Sequence, residues 1–381
     1  MKNTLKAIIN ANLIVDNEII KNKILLFNEQ IIDIVENINL KDIEVIDAKN
    51  NYVSAGFIDL HIHGSGGADV MDATPEALEI LSHVLLQTGT TSFLATTMTM
   101  SNKEIDKALK NIQMYANSVS GATILGAHLE GPFINVSKHG AQDKVFVQPP
   151  NLELIKDYIN QIKMITLAPE EEGSEYFIKH LTKEYPHIIL SIGHSDASYE
   201  QSKKSFEWGI THATHLFNAM NPYHHRKPGI VGAVFDSDIS CDVIADLIHT
   251  HSSTLELVQK MKKDRLILIT DSMRAGCMKS GNYDLGGHHV NVSHGKATLN
   301  DGTLAGSVLK MNEAMFNMLK HTSMDLVDIV NSVTKIPSQK LHLKKGELKV
   351  GYDADIVIFD EKFSIITTII NGEVKYSCLD Y

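Results

Sequence analysis

Apolar residues near the start of the chain fall in short runs at 7–9, 13–15, 23–27, 31–35 and 45–47, separated by Asn, Asp and Glu. Runs this short between turn-prone residues predict small antiparallel strands. Residues 346–381 have the same texture, with GELKVGYDADIVIFD followed by SIITTIINGEVKYS, which contains an Asn371–Gly372 turn. Neither end carries a second layer of its own. Packing segments 1–53 and 346–381 together into one small β-sandwich would bury both apolar faces.

Between them, over 54–345, the rhythm changes to β-branched runs alternating with longer helix-like stretches, the pattern of βα units. Eight strands are predicted, at 55–60, 90–96, 123–127, 163–167, 188–192, 210–214, 242–245 and 266–270. Eight is the number that closes a barrel, so the expected fold class is α/β, a (β/α)₈ TIM-like barrel with a β-sandwich made by both chain ends. Periodicity alone is equally compatible with an open, doubly wound sheet. The placement of the chemical residues separates the two.

Composition narrows the function classes. The chain has 381 residues, 43% of them hydrophobic and 21% charged, which is ordinary for a globular protein. Its 35 Lys and Arg against 46 Asp and Glu give a formal charge of −11. Nucleic acid is therefore not an expected partner, because backbone binding needs a broad basic surface. A small anion is still compatible if cations cluster locally. No stretch reaches the ~18 apolar residues of a membrane span, so no membrane partner is expected. Asn10, Asn12 and Asp16 interrupt any apolar run after Lys2 and Lys6 that would mark a signal segment. Cys241, Cys277 and Cys378 form no CxxC pair and no even framework. Free thiols in a reducing, cytoplasmic setting are the expectation.

Candidate chemistry collects at predicted strand ends. In GFIDLHIHG, His61 and His63 are two apart, so both face the same side of a strand; they are metal ligands or strand caps bonded to backbone. A pair at the C-terminal end favours metal, since barrel active sites lie there and imidazole suits Zn, Fe and Ni. In GAHLEGPF, Glu130 ends the third strand before Gly131–Pro132. A carboxylate pointing into a barrel mouth is costly unless a cation accompanies it, although Glu130 taken alone also reads as a surface group. His128 alternates with it, as ligand support or lining. The fifth and sixth strands end in His194 and His215, and the eighth ends in Asp271. Five strands of eight thus carry a metal-competent residue at one edge. An open sheet would not gather strands one, three, five, six and eight around a point.

The other histidines are read more plainly. His212 is expected to be structural, on the strand face opposite His215. His288, His289 and His294 are expected in an exposed hairpin-like loop, and His83, His180, His187, His321 and His342 in helix-like stretches. The run His224, His225, Arg226 and Lys227 is either a solvated loop face or an anion site at the barrel mouth.

These segments together resemble the N-acetylglucosamine-6-phosphate deacetylases of the amidohydrolase superfamily. The motifs are GFIDLHIHG, GAHLEGPF, SIGHSDA, THLFNAM, DSMRAG and DGTLAGS, extending from Gly56 to Ser307. The HxH pair marks only the superfamily, whereas LEGPF with THLFNAM is specific to the deacetylases. Dihydroorotase-like members usually carry a carboxylated lysine in mid-barrel, where this chain has Glu130.

The resemblance implies a divalent metal ion (Zn, Fe or Mn), one or two per subunit. Glu130, His194 and His215 match the ligands present throughout the family. His61 and His63 match a second-metal pair found in some members. Asp271 matches the catalytic aspartate that moves a proton from water to the departing amine. Asn218 and Ala219 match contacts to the sugar phosphate, His249 a substrate-contacting histidine, and Leu304, Ala305 and Gly306 a strip along the sugar. Ala141 and Gln142 lie where the family contacts the amide, and many members have His in place of Gln142. Arg226 matches a phosphate-binding arginine that reaches the neighbouring active site in a homodimer. The implied substrate is N-acetylglucosamine 6-phosphate and the implied products are glucosamine 6-phosphate and acetate, in amino-sugar catabolism and recycling. The alternatives are another cyclic-amide or acylamino-sugar hydrolase on the same barrel, separable by screening phosphorylated against free acetylamino sugars, and a catalytically silent regulatory relative. Such relatives usually lose metal ligands, and this chain retains all of them.

Overall fold

The computed structural model describes residues 4–378; residues 1–3 and 379–381, which include Lys2 and the outer tips of the two end segments, lie outside the described residues. Eight parallel strands run in chain order around one sheet: Phe57–Ile62, Thr90–Thr96, Thr123–Glu130, Ile162–Leu167, Ile189–Ile192, His212–Ala213, Ser240–Ile244 and Leu266–Ile269. The eighth returns to the first through backbone bonds, from Asp271 N–H to His61 O at 2.9 Å and from His63 N–H to Ser272 O at 2.9 Å. The expected barrel is therefore the fold, with helices packed outside it.

All eight predicted strands are present, with shifted ends. The first begins at Phe57, because Tyr52–Ala55 pairs instead with Asn12–Val15 and Ile356–Phe359 in a terminal sheet. Gly56 separates the two sheets where they pass closely. A Cβ added there would lie 2.1 Å from Thr91 Oγ1, so no larger residue fits. The sixth strand is only His212–Ala213, though Thr211 and Thr214 N–H groups still bond to Leu190 and Ile192 carbonyls.

The ends of the chain form two further sheets. A six-stranded sheet joins three C-terminal strands to three N-terminal ones through the pairing of Ile356–Phe359 with Tyr52–Ala55, and a four-stranded sheet holds Lys6–Ile9, Ile24–Phe27, Ile31–Val35 and Glu44–Asp47. Ile8, Leu25, Phe27, Val53, Ile356 and Ile358 fill the core between them, burying both apolar faces at once.

Local signals explain the helices. Asn102–Tyr115 starts from a Ser101–Glu104 capping box and buries Ile105, Ala108, Leu109 and Ile112 along one face. Tyr199–Trp208 starts from a Ser198–Gln201 box and stops at Gly209. Two histidines expected in helices sit in turns. His187 follows Pro186, which cannot continue the helix Ser174–Glu184, and His342 adopts a left-handed φ of 55° after Lys335–Lys340 ends. The stretch expected as a histidine-bearing loop is a three-stranded antiparallel sheet, Gly281–Leu285, His288–Ser293 and Lys296–Thr298. Its alternating Val290 and Val292 bury against Met98 and Met273, while His289 and His294 are exposed as expected.

Candidate metal centre and substrate cavity

Glu130 ends the third strand where Gly131–Pro132 stops it, and four imidazoles converge on its carboxylate. Oε1 lies 3.0 Å from His215 Nε2, 3.2 Å from His194 Nε2 and 3.4 Å from His61 Nε2. Oε2 lies 3.3 Å from His63 Nε2. Asp271 Oδ1 closes the ring, 3.4 Å from His61 Nε2 and 3.3 Å from His63 Nε2. Among the described residues these make two groups of three, His61–His63–Glu130 and Glu130–His194–His215, with Glu130 in both.

The donor set fits a cation. Ligand atoms ~2.0–2.1 Å from a tetrahedral ion lie roughly 3.3 Å from one another. Here His194 Nε2 and His215 Nε2 are 3.2 Å apart, as are His61 Nε2 and His63 Nε2. Two of the rings are also set in the ligating tautomer by backbone carbonyls. His194 Nδ1–H donates to Lys138 O at 2.8 Å and His63 Nδ1–H to Thr96 O at 3.2 Å, leaving each Nε2 lone pair facing inward.

Electrostatics point the same way. Burial alone would raise the Glu130 carboxyl, but His61 and His194 beside it hold it well below the usual carboxylate range. Burial opposes Asp271 in the same sense, and His61 and His63 bring it down to about 2. Burial would lower His63, yet Asp271 and Glu130 hold it well above the usual imidazole value. Two buried carboxylates that favour protonated imidazole so strongly also favour a bound cation.

Three residues of the cluster have left-handed backbone. His194, His215 and Asp271 adopt φ values of 48°, 32° and 48°, in the left-handed region, where non-glycine residues rarely sit. Each lies just past a strand end, where the chain turns to aim its side chain across the mouth. The fully buried His128 supports from below: Nδ1–H donates to Leu60 O at 3.0 Å and Nε2 meets Thr166 Oγ1 at 2.7 Å. His212 is likewise fully buried, bonded to Asp242 Oδ2 at 2.8 Å, while Asp242 Oδ1 accepts from the His215 backbone N–H. Asp242 thus links the structural His212 to His215 of the cluster, a role the sequence reading missed.

Above the cluster opens a cavity of about 240 Å³. Of the residues singled out for substrate, Ala141, Gln142, Asn218, Ala219, His249, Leu304 and Gly306 line it. Ala305 is fully buried behind the wall, packed with Met98, Met273 and Leu285. Arg226 is exposed and lines a separate surface hollow with Asn221 and Tyr199, its Nη1 2.7 Å from His225 Nε2. Asn218 Nδ2 is buried without a hydrogen-bond partner. His249 Nδ1 is held by Asp246 Oδ2 at 2.7 Å. That partner, three residues away in ADLIHTH, was also missed, as were the walls formed by Met98, Leu285 and Thr303. The Gln142 amide, at the cavity wall, is engaged at both ends. Oε1 accepts from Thr99 N–H and Nε2 donates to Glu130 Oε2.

The chain matches the family model described as amidohydrolase family over residues 52–375. It is 40% identical to N-acetylglucosamine-6-phosphate deacetylase of Lysinibacillus sphaericus over 354 residues, 91% of each chain. It is also 40% identical to the enzyme of the same name from Bacillus subtilis (strain 168) over 379 residues, 96% of this chain and 95% of that one. A crystal structure of N-acetylglucosamine-6-phosphate deacetylase from Pasteurella multocida superposes with a TM-score of 0.92 at 31% identity, covering 97% of this chain and 99% of that one.

Proposed function

We propose, from the premise that this chain belongs to the amidohydrolase family and its N-acetylglucosamine-6-phosphate deacetylase branch, that it hydrolyses the acetamide of N-acetylglucosamine 6-phosphate to glucosamine 6-phosphate and acetate. The observation that carries this reading is the convergence of His61, His63, His194, His215 and Asp271 on the Glu130 side of one sugar-sized cavity. A divalent ion, Zn, Fe or Mn, held by Glu130, His194 and His215, supplies Lewis-acid activation of water and of the acetyl carbonyl. His61, His63 and Glu130 form a second group of three that would hold another.

Asp271 is the proton carrier in this reading. Ionised at neutral pH, its carboxylate accepts a proton from the attacking water and returns it to the sugar nitrogen as the C–N bond breaks. Without that return the amine would leave as a strongly basic anion. Asn218 carries a buried amide with no protein partner beside the cavity, and it is assigned to a polar group of the sugar phosphate. His249, its Nδ1 engaged by Asp246, presents Nε2 for a sugar hydroxyl.

The cavity lining contains no Lys or Arg among the described residues, so this chain offers a phosphate group no permanent cation there. This supports a homodimer in which Arg226 of each chain serves the other's cavity. A cytoplasmic setting goes with the reading; the three cysteines are unpaired, and no helix among the described residues is long and apolar enough to cross a membrane. The test is acetate release from N-acetylglucosamine 6-phosphate by Zn²⁺-, Fe²⁺- or Mn²⁺-loaded protein. Turnover should vanish on chelation and fall at least about a hundredfold on unphosphorylated N-acetylglucosamine. Equal rates on the two sugars, or a preference for a cyclic amide, would overturn the assignment.

A further inference from the structure

The loop after the third barrel strand touches two members of the Glu130–His194–His215 group. Lys138 O accepts from His194 Nδ1–H, and Gln142 Nε2 donates to Glu130 Oε2 at 2.7 Å. The amide orientation is fixed by chemistry: a backbone N–H can only donate, so the Gln142 atom 2.5 Å from Thr99 N must be the oxygen. Nε2 is then the atom on Glu130. The loop is braced across its own base, where Gln142 N–H donates to His139 O at 2.9 Å and His139 Nδ1 meets Gln142 O at 2.8 Å. Gly140, at φ +60°, carries the chain past His194; even a Cβ there would lie 3.4 Å from the ring carbon Cε1.

We propose that Gln142 is a positioning residue for the shared carboxylate. By holding Oε2 it sets the plane of Glu130, so that Oε1 faces His194, His215 and His61 while Oε2 faces His63. A glutamate carboxylate rotates about a broad, shallow torsion and would not hold that plane unaided. The alternative role at this position, polarising the acetyl carbonyl, has one amide hydrogen left to it, since Thr99 engages Oε1 and Glu130 engages the other N–H. The proposal rests on reading Glu130 as a metal ligand, and it shifts Gln142 from the substrate to the support of that ligand.

Chelator-stripped protein titrated calorimetrically with Zn²⁺ tests it, using wild type, Gln142→Met and Gln142→Ala. Gln142→Met preserves length and apolar packing, so it carries the test if the smaller residue destabilises the loop. Both variants should bind Zn²⁺ about 10–100-fold more weakly, the usual cost of losing a partner that orients a ligand. At saturating Zn²⁺ KM should hold, and kcat should recover to within about threefold of wild type. Unchanged Zn²⁺ affinity with kcat reduced at saturation would overturn the proposal in favour of a carbonyl contact. Unchanged affinity and unchanged kcat would reduce Gln142 to loop filling. Failure of wild-type protein to take up Zn²⁺ would instead sink the metal reading itself, and this inference with it.

Discussion

The backbone N–H of Asp271 donates to the carbonyl oxygen of His61 at 2.9 Å, and their side chains meet again in the mouth, Asp271 Oδ1 lying 3.4 Å from His61 Nε2. One of the bonds that close the barrel therefore also places the Asp271 carboxylate beside the imidazole pair. Asp271→Asn keeps the backbone bond and the side-chain shape but cannot take up a proton. We expect kcat to fall by about two to four orders of magnitude with metal content and fold intact. Near-normal turnover would remove Asp271 from the chemistry, and lost metal would make it a ligand.

Glu130 belongs to both groups of three, with His61 and His63 in one and His194 and His215 in the other, which makes separate occupancy testable. Replacing His61 and His63 together by Asn should lower the metal content at saturation by about one ion per chain. Elemental analysis of protein equilibrated with excess metal measures this. An unchanged ratio would leave a single site and make the pair structural.

Much of this arrangement was legible in the sequence because it rests on period and position. Alternation places His61 with His63 on one face, and the βα rhythm places Glu130, His194, His215 and Asp271 at one edge. What escaped was partner choice. Nothing in the run around Gln142 says that its amide turns to Glu130 and Thr99, because both partners are supplied by other segments. Asp242 lies 27 residues from His215 and becomes its support only when the sixth and seventh strands pair. The left-handed turns at His194, His215 and Asp271 left no signal either, since none of them is a Gly or Asn, the residues that ordinarily mark such a turn. Tyr52–Ala55 was hidden because two strands of different sheets follow one another with only Gly56 between.

At the start of the sixth barrel strand, Lys340 gives a pH prediction. Its Nζ donates to Thr211 O at 2.7 Å, and burial pushes the ammonium down to about 8 from an ordinary 10.5. Between those values the unfolded chain binds the proton and the folded chain does not, so stability from this group rises with pH through the window and is lost below it. Lys340→Met should abolish that contribution. In urea titrations the variant should compare best with wild type below pH 8. Its relative standing should then decline by at most about 1.4 kcal/mol per pH unit towards pH 10. A difference independent of pH would show that the ammonium stays charged in the folded state.

His249 reaches the cavity with Nδ1 held by Asp246, which also accepts from the His249 backbone N–H at 2.7 Å. Asp246→Ala should free the ring to rotate while leaving the Glu130 cluster untouched. The expected signature is KM raised about fivefold to thirtyfold, as one oriented hydrogen bond to the sugar is weakened, with Zn²⁺ affinity constant. Unchanged KM would mean that His249 does not read the substrate.

Arg226 is the residue whose position in one chain does not explain its expected role. It is exposed and lines a hollow separate from the cavity, while the cavity itself has no cationic lining among the described residues. A phosphate bound there needs a cation, and a second copy of the chain could deliver one. Arg226→Ala should weaken N-acetylglucosamine 6-phosphate by about 2 kcal/mol or more, near thirtyfold in KM, because a charge-assisted contact is lost. Turnover of unphosphorylated N-acetylglucosamine should barely change, and equal losses on both sugars would indicate a folding or assembly defect. Source is settled by mixing. If each active centre combines its own Asp271 with the partner's Arg226, a dimer of one Arg226→Ala chain and one Asp271→Asn chain has one intact centre and one doubly defective centre. Random reassociation of equal amounts should then restore about a quarter of wild-type activity, and purified heterodimer about half. No recovery in verified heterodimers would place any Arg226 contribution within its own chain.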